Sequence, residues 1–139
     1  MNPSKMAPSY NILPEEKIIV IRFQGEITGE EVMEASRVVS ADERYQHGYD
    51  GIIDAIEVLT TVDREQIENL VKFSLSKRKH GYGKWVVLVN TPAATAYAMI
   101  YHKKVASKHP FSICCSLEGA SDLLGKKIDE TWMDKNLPK

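Results

Sequence analysis

Asp54, Glu57, Thr60, Thr61 and Asp63 crowd into the stretch Gly51-Ile-Ile-Asp-Ala-Ile-Glu-Val-Leu-Thr-Thr-Val-Asp-Arg-Glu-Gln-Ile-Glu-Asn-Leu70. There an apolar run gives way to a short polar loop and then to a helix start, the kind of junction at which open α/β folds place ligands and partners. Two chemistries are open to Asp54 at the end of Ile52-Ile-Asp-Ala-Ile56. It can hold a ligand, with its pKa moved by burial, or it can accept hydrogen bonds from loop amides and fix the turn. Thr60 and Thr61 precede the helix start. They read either as phosphate acceptors near backbone N–H groups that favour anions or as capping and loop residues. Glu57 and Asp63 could extend Asp54 into an acidic cluster, but no histidine is near in sequence to complete a metal site, and none is expected.

The rest of the chain offers little to a catalyst. His47, His80, His102 and His109 are scattered, and no GxSxG, HExxH or Walker pattern occurs. Neither an enzyme nor a cofactor is expected. Cys114 and Cys115 are adjacent, so in a strand they point to opposite faces and suit neither zinc nor a CxxC redox pair. They read as buried, inert thiols. Lys77-Arg-Lys-His80 with Lys84, and Lys103-Lys104 with Lys108, complement two helix C-termini as solvated charge. With no interleaved exposed aromatics, nucleic acid is not an expected partner.

Tyr97 and Tyr101, one helical turn apart, share a stripe with Ala94 and Ala98. The stripe packs against a sheet as ordinary core, or it lines an apolar pocket together with Phe73, Leu75, Met99 and Ile100.

Start and stop signals locate the elements that must position these groups. Tyr10–Leu13, Pro14-Glu-Glu16 and Lys17–Gln24 read as a hairpin whose second arm turns Ile19, Ile21 and Phe23 to one face. Thr28 with Glu31 makes a capping box, and Ile27 with Val32 a hydrophobic staple, for a helix running towards Ser40. Asp50–Ile56 is the next strand. Asp63 with Gln66 and Val62 with Ile67 repeat the same signal for a second helix, with Ile67, Leu70, Val71 and Leu75 inward and a stop at Gly81. Trp85–Val89 is apolar without alternation, as in a strand covered on both faces. Thr91 caps and Pro92 opens a third helix to about Ser107. Phe111–Cys115 is a last strand, and Ser116 caps a helix over Leu117–Leu124 that Gly125 stops. Asp129–Asp134 is amphipathic.

The order ββαβαβαβα predicts an α/β fold, with a mixed, mainly parallel sheet entered by an N-terminal antiparallel hairpin and helices packed on it. It occupies residues 9–125, between a loose tail at 1–8 and a C-terminal tail at 126–139. The 139-residue chain, 43% hydrophobic and 27% charged, is sized for one globular domain. Its net charge of −1 gives no general pull towards nucleic acid or anionic membranes. No apolar run approaches the ~20 residues of a membrane span. The N-terminus lacks a secretory core, so a cytoplasmic location is expected.

With that order in hand, the chain resembles the STAS superfamily, the fold of the SpoIIAA anti-sigma-factor antagonists, and in particular an uncharacterised bacterial branch called SpoIIAA-like or STAS/SEC14-like. The resemblance covers roughly residues 9–125. It is carried by the element order and by Ile52-Ile-Asp-Ala-Ile, Lys84-Trp-Val-Val-Leu-Val-Asn-Thr and Phe111 followed by Ser116-Leu-Glu-Gly-Ala. In the antagonists an Asp-Ser-Ser-Gly-like turn carries a serine whose phosphorylation controls partner binding. Asp54 and Asp63 match its flanking aspartates, but Arg64 and Glu65 stand where the serines would be. The resemblance therefore implies a non-enzymatic interaction domain without the serine switch. Its contact residues would be Thr60, Thr61, Asp63, Arg64, Glu65 and Glu68, its partner another protein or a second copy of itself. The SEC14-like comparison implies an alternative, a carrier or sensor of a small apolar, lipid-like ligand, with Phe73, Tyr97, Tyr101 and Asp54 at the site.

Overall fold

The computed structural model describes residues 8–59, 63–77, 83–105 and 111–137. Thr60, Thr61, most of the N-terminal tail, Arg78–Gly81 and the Lys108–His109 pair lie outside them.

Ten elements follow one another: β1 (Ser9–Leu13), β2 (Ile18–Glu26), α1 (Gly29–Ala41), β3 (Asp50–Leu59), α2 (Arg64–Lys77), β4 (Trp85–Val89), α3 (Pro92–Val105), β5 (Phe111–Cys114), α4 (Leu117–Leu124) and α5 (Glu130–Asn136). The strands lie side by side in chain order. β1 and β2 are antiparallel and every later pair is parallel. This is the mixed sheet that the sequence predicts. Right-handed crossovers stepping three times in one direction must put α1, α2 and α3 on the same face. Strand alternation then splits the core. Ile19, Ile21 and Phe23 face α1–α3 with Ile67, Leu70 and Ala98. Ile18, Val20, Ile52, Val86 and Leu88 face the other way, against Ala120, Leu124, Ile128, Met133 and Leu137. All five residues of β4 are buried because both faces are covered.

The caps behave as their residue types dictate. Thr28 and Glu31 form the reciprocal box at α1. Thr91 Oγ1 accepts from Ala94 N, Ser116 Oγ accepts from Gly119 N, and Gly125 ends α4 at a positive φ of 65°. At α2, Asp63 Oδ1 accepts from Gln66 N. The Gln66 side chain reaches across to α1, where its Oε1 accepts from Gly29 N at 3.0 Å. The two helix starts are thereby tied together.

Three features differ from the sequence expectation. β3 runs on to Leu59 instead of ending at Ile56. A bulge makes this possible: Arg22 pairs with Asp54 but Gln24 pairs with Glu57, so β3 carries one residue more than β2 across that step. The shift returns Val58 to the helix face, where it is buried. Second, Cys115 is exposed and Cys114 only half-buried, rather than both buried, as β5 ends at Cys114. Third, the stretch assigned to a tail at 126–139 carries α5. Asp129 caps it, Ile128, Met133 and Leu137 join the second core, and Lys126 Nζ and Trp132 Nε1 hydrogen-bond to Glu16 in the hairpin turn.

The outer edge of β1 is closed by the loop after α1. Arg44 Nη1 donates to Asn11 Oδ1 and Ile12 O, while its Nη2 and backbone N donate to Asp42. Arg44 Nε also donates to Asp42, and Tyr10 Oη adds a fourth donor at 2.9 Å. The Arg44 guanidinium, then its backbone N–H, with Tyr10 behind them, hold the Asp42 carboxyl well below the usual carboxylate range. A depressed carboxylate stabilises the fold above its unfolded pKa, near 4, and that contribution is lost as pH falls further. Asp42→Asn is therefore expected to unfold at lower denaturant than wild type at pH 7. The difference should narrow steadily in urea titrations taken below about pH 4. A gap that widens in acid would contradict this.

Candidate functional site

Between the sheet and α1–α3 the core does not close. β3 contributes Ala55 to the floor, α1 offers Ser36 and Ser40, α2 Ser74, and α3 Ala94 and Ala98. Small side chains meeting from four directions leave a cavity of about 140 Å³. Its larger wall residues are Phe23 and Trp85 from the sheet, Phe73 from α2, Tyr97 and Tyr101 from α3, and Phe111 from β5. Trp85 can lie flat on the floor because its register partner in β3 is Gly51, where an added Cβ would overlap the indole. Tyr101 meets Phe111 edge-on at 5.1 Å between ring centroids. At the α1–α2 seam the Arg37 guanidinium lies 5.8 Å from the centre of the Phe73 ring.

Two hydroxyls mark the α3 wall. Tyr101 Oη donates to Ser74 Oγ at 2.9 Å, which satisfies the buried Ser74. Tyr97 Oη is buried with no hydrogen-bond partner among the described residues. Burial foremost, with Tyr101 and Asp63 adding to it, pushes the Tyr97 pKa up to about 12, so the group stays a neutral O–H.

The structure sorts the residues singled out in the sequence. Phe73, Tyr97 and Tyr101 are brought together around the cavity. Asp54 is not with them. It sits on the opposite face of the sheet, where its Oδ2 accepts from Arg22 Nε at 3.0 Å and its Oδ1 from Ile56 N, the amide freed by the bulge. Glu57 accepts from Gln24 Nε2 at 2.7 Å. Both carboxylates hold strands in register, and they do not converge with Asp63. Met99 points outward, 58% exposed, and Leu75 and Ile100 pack on the core without lining the cavity. The lining contributed by Trp85, Ser74 and Phe111 escapes the sequence reading, because it comes from elements far apart in the chain.

Of the expected contact residues, Thr60 and Thr61 lie outside the described residues, and the other four lie at the surface where α2 begins. Asp63, Arg64, Glu65 and Glu68 are exposed, with Glu68 3.6 Å from Lys104 of α3. Asp63 and Glu65 share a groove between α1 and α2 with Glu30, Glu31 and Glu34, against one cation among the described residues, Arg37. Among the described residues, no three His, Cys, Asp or Glu side chains are grouped to hold a metal. Among them, too, no helix is long and apolar enough to cross a membrane. Comparisons with protein-family models and with curated proteins find no match for this chain.

Proposed function

We propose that the protein binds a small apolar molecule in the cavity under α1–α3, as a carrier or sensor that performs no covalent chemistry on it. The carrying observation is the cavity itself, apolar over nearly all its wall and built from seven secondary-structure elements. Left without an apolar occupant, that wall forgoes dispersion contacts and burial from water. An occupant returns much of that in dispersion and buried apolar surface. Ligand pockets have this composition, a mostly apolar wall with a few polar groups.

Native mass spectrometry of protein purified without denaturation, together with thermal shifts, tests the reading. A retained small-molecule mass or a ligand-induced rise in Tm supports it. Ala98→Leu, which places three further carbons inside the wall, is expected to keep the fold and weaken binding at least about tenfold, since overpacking is avoided where space exists. A bare-chain mass with no thermal shift from any apolar probe would sink the proposal.

A second reading concerns the outer groove. Five carboxylates against one guanidinium suit a basic segment of a partner protein, and the STAS-like resemblance points to the same end of α2. Reversing Glu34 and Glu65 to lysine should then abolish capture of a partner that wild type binds in a salt-dependent way. Unchanged capture would count against it.

A further inference from the structure

The hydroxyls around the cavity are not equally committed. Ser36 Oγ donates to Val32 O and Ser40 Oγ to Arg37 O, each within its own helix. Tyr101 is engaged with Ser74. Of the wall hydroxyls, Tyr45 included, Tyr97 Oη alone is buried without a partner among the described residues, and a buried hydroxyl in that state is disfavoured against one that has found an acceptor or donor. A group carried in by an occupant would remove that penalty.

The wall also limits what the occupant can be. Among the described residues no Lys, Arg, His, Asp or Glu side chain lines it, so a charged headgroup would be desolvated there with no counter-ion. Asp63, whose negative charge is felt at Tyr97, opposes an anion there in particular. The volume, about 140 Å³, is close to that of the ~150 Å³ engineered cavity that accepts benzene. One ring fits within that space; a long acyl chain would not be contained by it.

We infer that the cavity takes a neutral molecule of about one six-membered ring, or a comparably short chain, whose single oxygen hydrogen-bonds to Tyr97 Oη. This rests on the ligand-binding reading above and narrows it, away from fatty acids and other charged lipids. The Tyr97 hydroxyl, protonated at neutral pH, can serve either a carbonyl or a hydroxyl.

Phenol and toluene, nearly equal in size and differing by the oxygen, separate the two levels of the argument. They are titrated calorimetrically, with benzoate and palmitate alongside, and followed by Trp85 emission in a Trp132→Phe background. That background leaves one indole of the chain's two, on the cavity floor. Wild type should bind phenol about tenfold more tightly than toluene, the worth of one buried hydrogen bond. Benzoate and palmitate should bind more weakly than either. Tyr97→Phe should erase the preference for phenol while keeping toluene binding, which also shows that the variant is folded. Equal binding of phenol and toluene, a preference that survives in Tyr97→Phe, or tightest binding of benzoate or palmitate would overturn this inference and leave the cavity-binding reading standing. Failure of both toluene and phenol to bind would overturn the two together.

Discussion

Met133→Ala is expected to lower the free energy of unfolding by about 3 kcal/mol and Tm by on the order of 10 °C. Met133 is fully buried between α5 and the face of the sheet that α1–α3 do not cover. Its removal leaves a cavity against Ile18, Val20, Ile52, Val86 and Leu88, all at or near zero exposure. That apolar floor cannot be exposed cheaply, at roughly 25 cal/mol per Å². A chain ending at Gly125 is accordingly expected to lose its cooperative transition. Asp134→Ala, one residue on and exposed, is the control and should stay within about 0.5 kcal/mol of wild type. Urea unfolding followed by circular dichroism measures all three. If Met133→Ala unfolds with Asp134→Ala, α5 does not contribute to the core as described.

Gly83→Ala should be comparably damaging, by about 3 kcal/mol, for a different reason. A Cβ at Gly83 would collide with the Tyr49 carbonyl and lie 2.7 Å from Asp50 N. Those are backbone atoms, so no rotamer change relieves the overlap. The contact lies where β3 and β4 enter the sheet, held together by Lys84 N to Asp50 Oδ1 and Gly51 N to Lys84 O. Any shift there carries Gly51 and Trp85 with it, and Trp85 lines the cavity. Gly48→Ala offers the comparison, since nothing lies within 4 Å of a Cβ there. It should be neutral or slightly stabilising through lost chain entropy. Equal urea midpoints for the two variants would refute the close approach.

Much of this fold is legible in the residues because it depends on local chemistry. Thr28 with Glu31, Thr91 before Pro92, and Ser116 with Gly125 declare helix ends by satisfying backbone groups that any helix leaves open. The unbroken Trp85–Val89 run declares a strand covered on both faces. What stays hidden depends on pairing. The sequence ends β3 at Ile56, because Glu57 looks like loop. Its partner Gln24 and the bulge beside Asp54 extend the strand instead. Asp54, as suggestive as any residue in the sequence, is directed away from the cavity by strand parity and secured by Arg22.

The sequence by itself determines the element order, the caps and the aromatic stripe of Tyr97 and Tyr101, all set by interactions within about one turn or one strand, and the order in turn implies the mixed, mainly parallel sheet. Only the tertiary structure decides that Ser36, Ser74, Ala55 and Ala98 meet around a common space, that Tyr97 is left there without a hydrogen-bond partner among the described residues, and that α5 packs on the far face of the sheet. Cavities and cores are properties of what packs against what. Side chains from seven elements lie in one wall only after right-handed crossovers have stacked three helices on one side of the sheet.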